Sequence, residues 1–117
     1  PESREKLTGL CADWVKNAPV VIVICTNGSE IVGRFGDRAR DLFILQDTAL
    51  AGENIMLQAA DLGLGSCFIG AFNEDGVRAA LSIPMDKRPV GLIPIGHSTD
   101  NTPKRDRAPI AEKYAIL

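Results

Sequence analysis

Three glycines and a cysteine sit inside one apolar run, ADLGLGSCFIGAF, at residues 60–72. The residues before the run decide what its glycines do. From about Leu45 or Asp47 to Leu62 the apolar residues recur at helical spacing. Leu45, Ala49, Gly52, Ile55, Met56, Ala59, Ala60 and Leu62 share one broad face, and Gln46, Asp47, Glu53, Asn54, Gln58 and Asp61 share the other. Asp47 is placed to cap this helix, worth about 1 kcal/mol. A helix ending at Leu62 needs a left-handed residue next, and Gly63 takes that conformation at little cost. The order is therefore helix, glycines, strand. A dinucleotide-binding fingerprint needs strand, glycine turn, helix, so that a pyrophosphate meets a helix N-terminus. The glycines here do not form one.

The flanking sequence alternates helix and strand. Glu2–Lys16 carries Leu7, Leu10, Cys11, Trp14 and Val15 at three- and four-residue spacing and reads as a helix, stopped by Pro19. Pro19–Thr26 is a β-branched run with the pattern of a strand covered on both faces. Ser29–Arg40, broken by Gly33 and Gly36, reads as a loop with little regular structure. Ser66–Ile69 reads as a short strand. Asn73–Leu81 reads as a short helix capped by Asn73, and Pro84 closes that segment. Pro89–Gly96 is an apolar strand in which Pro94 removes one ladder donor and points to an edge or a bulge. This alternation defines a layered α/β or α+β fold, and 117 residues make one domain, 1–117.

Several classes of function fall away. A net charge of −2 gives no electrostatic reason to bind nucleic acid or an anionic membrane. The longest apolar run, PVVIVIC, is too short to span a bilayer, and the first residues lack a secretory profile. Cys11, Cys25 and Cys67 are odd in number and far from the single histidine, His97, which argues against a zinc site. Free thiols buried in apolar sequence fit a reducing compartment, so the expected location is the cytoplasm. Cys67 itself reads as an inert small hydrophobe. His97-Ser98 has no nucleophile elbow before it and reads as a polar pair closing a strand.

Three features leave alternatives open. Leu50 and Leu57, seven apart in the polar stripe of the long helix, are either ordinary exposed leucines or a seam for another chain. Gly70-Ala71 is either a plain strand-to-helix turn or a place where a planar group approaches bare main chain. Lys104, Arg105 and Arg107 form a basic cluster that is either solvated surface or a phosphate clamp.

Together these segments resemble the FMN-dependent nitroreductase family. The likeness runs through APVVIVICT at 18–26, DTALAGENIMLQAADLGLGSCFIGAF at 47–72, VRAALSIP at 77–84, VGLIPIGH at 90–97 and KRDRAPIAE at 104–112. The resemblance implies an α+β, three-layer α/β/α sandwich with a mainly antiparallel sheet. It implies a homodimer with FMN at the subunit interface, the long helix central to it, and the tail from Tyr114 crossing to the partner. Ile69, Gly70 and Ala71 would lie beside the flavin ring, with main-chain N–H groups facing it. Arg105 and Arg107 would bind the flavin phosphate. NAD(P)H would be the co-substrate, and a nitroaromatic, quinone or similar small molecule the acceptor. No catalytic acid or base is assigned. The family's arginine- and serine-rich opening motif and its Asn/Gln-Pro-Trp stretch have no counterpart here. The chain is thus expected to be the C-terminal part of a longer protein or a shortened relative. The alternative reading is a non-catalytic dimerisation or ligand-binding module that has lost the flavin.

Overall fold

The computed structural model describes residues 2–99 and 106–115, apart from the side chain of Ser3. Its centre is a three-stranded antiparallel sheet in the order β1-β3-β2, with β1 at Val20–Thr26, β2 at Gly65–Ser66 and β3 at Arg88–Gly96. Helix α1 is Glu2–Glu5, α2 is Ser29–Phe35, α3 is Ile44–Asp61 and α4 is Glu74–Leu81.

The register assigns each side chain to a layer. Ile22 faces Ile93, Val23 faces Leu92 and Ile24 faces Gly91, with a bulge after Ile24 that leaves Val90 unmatched. Side chains alternate across the sheet. On one face Leu92 and Ile69 join Leu7, Val15 and Val77 in the main core, with Val21, Val23, Phe72 and Leu81 packed around them. The opposite face, carrying Ile24 and Gly91, receives α3. Helices therefore cover both sides of an antiparallel sheet, the three-layer α+β sandwich that the resemblance implies.

Phe68 couples α3 to the sheet. A Cβ placed on Gly91 would lie 2.5 Å from the ring's Cζ, and one placed on Gly52 would lie 2.7 Å from its Cε2. The phenyl ring therefore occupies space that two absent side chains leave open, one on β3 and one on α3. Helix α3 ends as its sequence predicts. Leu64 N–H donates to the Ala59 carbonyl at 2.8 Å and Gly63 N–H to Ala60 at 3.0 Å, with Gly63 at φ +71°, which is a Schellman closure.

Seven expectations need correction. The helix over Glu2–Lys16 does not form as one piece: α1 stops at Glu5, Gly9 turns at φ +76°, and a 3₁₀ turn follows at Asp13–Asn17. Leu7 and Val15 still reach the core and Leu10 and Cys11 pack half-buried against it, but Trp14 is 51% exposed, so the apolar spacing reported burial for part of the set and not a continuous helix. Ser29–Arg40 is not a loop; it holds α2 and the start of a π-helical turn, Ala39–Phe43. Gly36, at φ +66°, stops α2 instead of unravelling the segment. Asp47 does not cap α3, because the π-turn feeds straight into the helix and Phe43 is already helical. The buried stripe of α3 is narrower than the pattern suggests, comprising Ile44, Gly52 and Ala59 with Ile55 and Met56 half-buried.

The last three corrections are connected. Pro94 lies in the middle strand, not at an edge. Ile69 and Leu92 exchange hydrogen bonds at 2.8 and 3.0 Å. Leu92, Pro94 and Gly96 therefore all aim their main-chain groups at β2. Continuing the register of Gly65 with Gly96 and Ser66 with Ile95 puts Cys67 opposite Pro94, which has no N–H to give. Pairing lapses at Cys67 and Phe68 and resumes at the Ile69–Leu92 bridge. The expected strand Ser66–Ile69 is thus split, and Cys67 is exposed, not buried.

Replacing Gly91 by Ala should destabilise the protein by about 1–3 kcal/mol through overpacking against Phe68. In a Phe68→Ala background the same change should become nearly neutral. Urea denaturation of the two single variants and the double variant measures this coupling, and purely additive costs would refute the packing assignment.

Candidate functional site

The β2 line and β1 both run antiparallel to β3, so they run parallel to each other and finish at the same end of the sheet. Gly70 and Ala71 lie at that end, directly after the Ile69–Leu92 bridge. Ile69 has both main-chain groups engaged with Leu92 and its side chain in the core. Its role is to fix where the chain leaves the sheet. Gly70 and Ala71 are exposed, and neither has a hydrogen-bond partner among the described residues. A Cβ built on Gly70 meets nothing within 4 Å. Unpaired main-chain donors beside a glycine with open space at its Cβ position suit a planar acceptor that lies flat against the backbone.

The residues beyond Ala71 hold this turn from behind. Phe72 packs on the main core. Asn73 N–H donates to the Leu10 carbonyl at 2.7 Å, and the Asn73 side-chain carbonyl accepts from Gly76 N–H at 2.8 Å as the α4 cap. The other end of α4 is tied down by Arg78, whose guanidinium donates to the carbonyls of Pro84, at 2.9 Å, and Lys87. Glu74 accepts from Arg88 Nε at 3.1 Å. The capping was legible in the sequence. The Leu10 contact was not, since it joins residues 63 positions apart.

Of the expected phosphate ligands, Arg107 is exposed and has no carboxylate partner among the described residues. Arg105 lies outside the described residues. No described contact joins Arg107 to the Gly70 turn. At the opposite end of β2, a cleft of about 650 Å³ is lined by Trp14, Pro19, Cys67, Pro94, His97 and Ser98 among others. Its lining residue nearest in sequence to Gly70, Cys67, lies three residues away, roughly 10 Å along an extended strand. No group of His, Cys, Asp and Glu side chains among the described residues could hold a metal ion. No described helix is long and apolar enough to cross a membrane.

A layered antiparallel sheet with a bare main-chain turn at one end defines a class of fold, and comparison with known proteins assigns it. The nitroreductase family model matches residues 2–97, and the chain belongs to that family. It is 36% identical over 98 residues to a Methanothermobacter thermautotrophicus protein provisionally named NADH dehydrogenase/NAD(P)H nitroreductase, covering 79% of this chain and 47% of that one. It is 37% identical over 72 residues to the FMN reductase (NADPH) of Bacillus subtilis, covering 60% of this chain and 29% of the relative. A solved nitroreductase family protein from Streptococcus pneumoniae superposes with a TM-score of 0.87 at 19% identity, over 99% of this chain and 75% of that one, which shows the shared fold. The chain spans about half the length of the Methanothermobacter relative, and less of the Bacillus one.

Two measurements check this geometry. Asn73→Ala should cost about 1 kcal/mol in urea denaturation, and Asn73→Asp should recover most of it, because a carboxylate also caps the helix. Burial pushes the thiols of Cys11 and Cys25 up from their ordinary range. Asp13 adds to the effect at Cys11, while Arg78 and Lys87 oppose it at Cys25. Mass spectrometry of iodoacetamide labelling near pH 8 should therefore find Cys67 modified first. Equal labelling of all three would contradict the assigned burial.

Proposed function

We propose that this chain is the flavin-holding part of an FMN-dependent, NAD(P)H-driven oxidoreductase that works as a homodimer. The observation that carries the reading is the Gly70–Ala71 turn: two exposed main-chain donors without partners, with open space in front of the glycine. FMN fits that surface, because its ring edge offers acceptors and takes on negative charge when reduced. Gly70 and Ala71 would donate N–H to that edge, pre-oriented by the Ile69 bridge and the Asn73 cap. Arg107, together with Arg105, would clamp the phosphate as planar, permanently charged donors. When bound, the flavin supplies the redox chemistry between a reduced nicotinamide and a small acceptor such as a nitroaromatic or a quinone. The names of the Methanothermobacter and Bacillus relatives support this class of reaction.

Three observations support a second copy of the chain. Leu50 and Leu57 on α3 are 65% and 58% exposed, an apolar pair at heptad spacing. The radius of gyration is 16.7 Å, against about 13 Å for a compact domain of roughly this length. Ile110 and Tyr114 in the tail are likewise exposed. The reading places these apolar surfaces in the dimer interface.

The purified chain mixed with FMN and desalted should keep the visible absorption of bound flavin. Arg107→Ala should weaken retention by about tenfold to a hundredfold, the loss of one charge-assisted hydrogen bond. A protein that stays colourless rejects the flavin reading in favour of the non-catalytic module.

A further inference from the structure

The segment between β1 and α3 takes no part in the site above, yet it concentrates chemistry. Gly36 turns the chain at the end of α2, and the π-turn then brings Phe43 back against Phe35. The two rings meet edge to face, with centroids 6.2 Å apart and planes at 72°. The Arg34 guanidinium carbon lies over Phe35 at 5.1 Å from the ring centroid, and that of Arg38 lies over Phe43 at 5.6 Å. Significant cation–π pairs occur about once in 70–80 residues. Here two fall within ten residues and share a pair of touching rings. Arg40 is neutralised by Asp37. Arg34 and Arg38 have no carboxylate partner among the described residues. Glu30, Asp37 and Asp41 balance the three arginines of residues 29–43 in number, but the two ring-bound guanidinium groups are left without a salt bridge among the described residues, and Phe35 remains 50% exposed beside them.

Topology sets the end of the sheet from which the patch departs. Thr26, where β1 stops, and Gly70 finish at the same end of the sheet, and the segment departs from there. At its base, a Cβ placed on Gly28 would lie 3.1 Å from the Ile44 side chain, so only a glycine leaves Ile44 room there.

We propose that Arg34, Phe35, Arg38 and Phe43 recognise an adenosine that carries a phosphate on its ribose, presented as the 2′-phosphate end of NADPH. The adenine face stacks on the exposed phenyl and guanidinium planes, which accept any flat π surface. The phosphate dianion takes parallel N–H donors from a guanidinium, a geometry that lysine cannot reproduce. Because each arginine is already laid over a ring, little side-chain freedom remains to be lost on binding. NADH carries a hydroxyl at that position and leaves the guanidinium groups unmatched, so the patch selects between the two dinucleotides. This inference rests on the reading that a reduced nicotinamide dinucleotide is the co-substrate.

Isothermal titration of the full chain with adenosine 2′,5′-bisphosphate, adenosine 3′,5′-bisphosphate and 5′-AMP tests it without any flavin. The 2′,5′-bisphosphate should bind at least tenfold more tightly than 5′-AMP, with an advantage that shrinks as salt rises. Arg34→Gln or Arg38→Gln should each reduce that advantage about tenfold, Arg34→Lys should reduce it less, and Arg40→Gln should leave it unchanged. Circular dichroism checks that the variants are folded. If a variant unfolds, the salt-dependent preference of the unaltered chain still decides. Equal binding of 2′,5′-bisphosphate and 5′-AMP overturns the proposal, as does a preference that survives both glutamine variants. A preference for the 3′,5′ isomer overturns the assignment to NADPH. A colourless protein that discriminates rejects only the flavin reading, whereas a yellow one that does not discriminate rejects only this inference.

Discussion

A single phenyl ring fixes how α3 meets the sheet. Phe68 fills the space above Gly91 on β3 and beside Gly52 on α3, and neither position would accept a Cβ with the ring in place. The ring keeps one side in solvent, and its packed side is set by the room that these two glycines leave. The residue after Phe68 is Ile69, whose bridge to Leu92 closes the opposite core. Adjacent residues thus anchor both layers, and the next residue, Gly70, leaves the sheet from a fixed point. The proposed flavin surface depends on that double anchoring.

The sheet is also shaped by a hydrogen bond that cannot form. Pro94 offers no donor where Cys67 would need one, so the β2 line is split and its middle is freed from strict pairing. Cys67 turns out to the surface by the cleft. Phe68, on the other face, follows packing against α3. The same strand line therefore has a cleft at its Gly65 end and a bare main-chain turn at its Gly70 end. The charged and aromatic segment 29–43 belongs to the second end, because β1 and the β2 line finish together.

Much of this was legible locally. The Gly63 closure, the Asn73 cap and the span of α3 each follow from residues a few positions apart, whose chemistry acts over one turn. Gly9 and Gly36 show where such reading fails. A glycine can stop one helix cleanly or break another into pieces, and nothing nearby in sequence says which. Leu7 and Val15 were correctly marked for burial, although the helix expected to carry them is broken. Asp47 was misplaced as a cap because the π-turn before it depends on how Phe43 returns to Phe35. For the site, the Gly70–Ala71 turn was visible as an open alternative. Arg34 and Arg38 were hidden in a segment that looked irregular.

By itself the sequence determined the family, the layered class of the fold, the long amphipathic helix and the glycine-rich step out of it. These are written in residue types at short spacing, where conformational preference and periodic burial act directly. Only the tertiary structure decided that Pro94 sits in the middle of the sheet, that Cys67 faces solvent, and that two arginines lie over two touching rings. Those outcomes depend on which strands become neighbours and on the volume left between layers, and contacts across tens of residues set both.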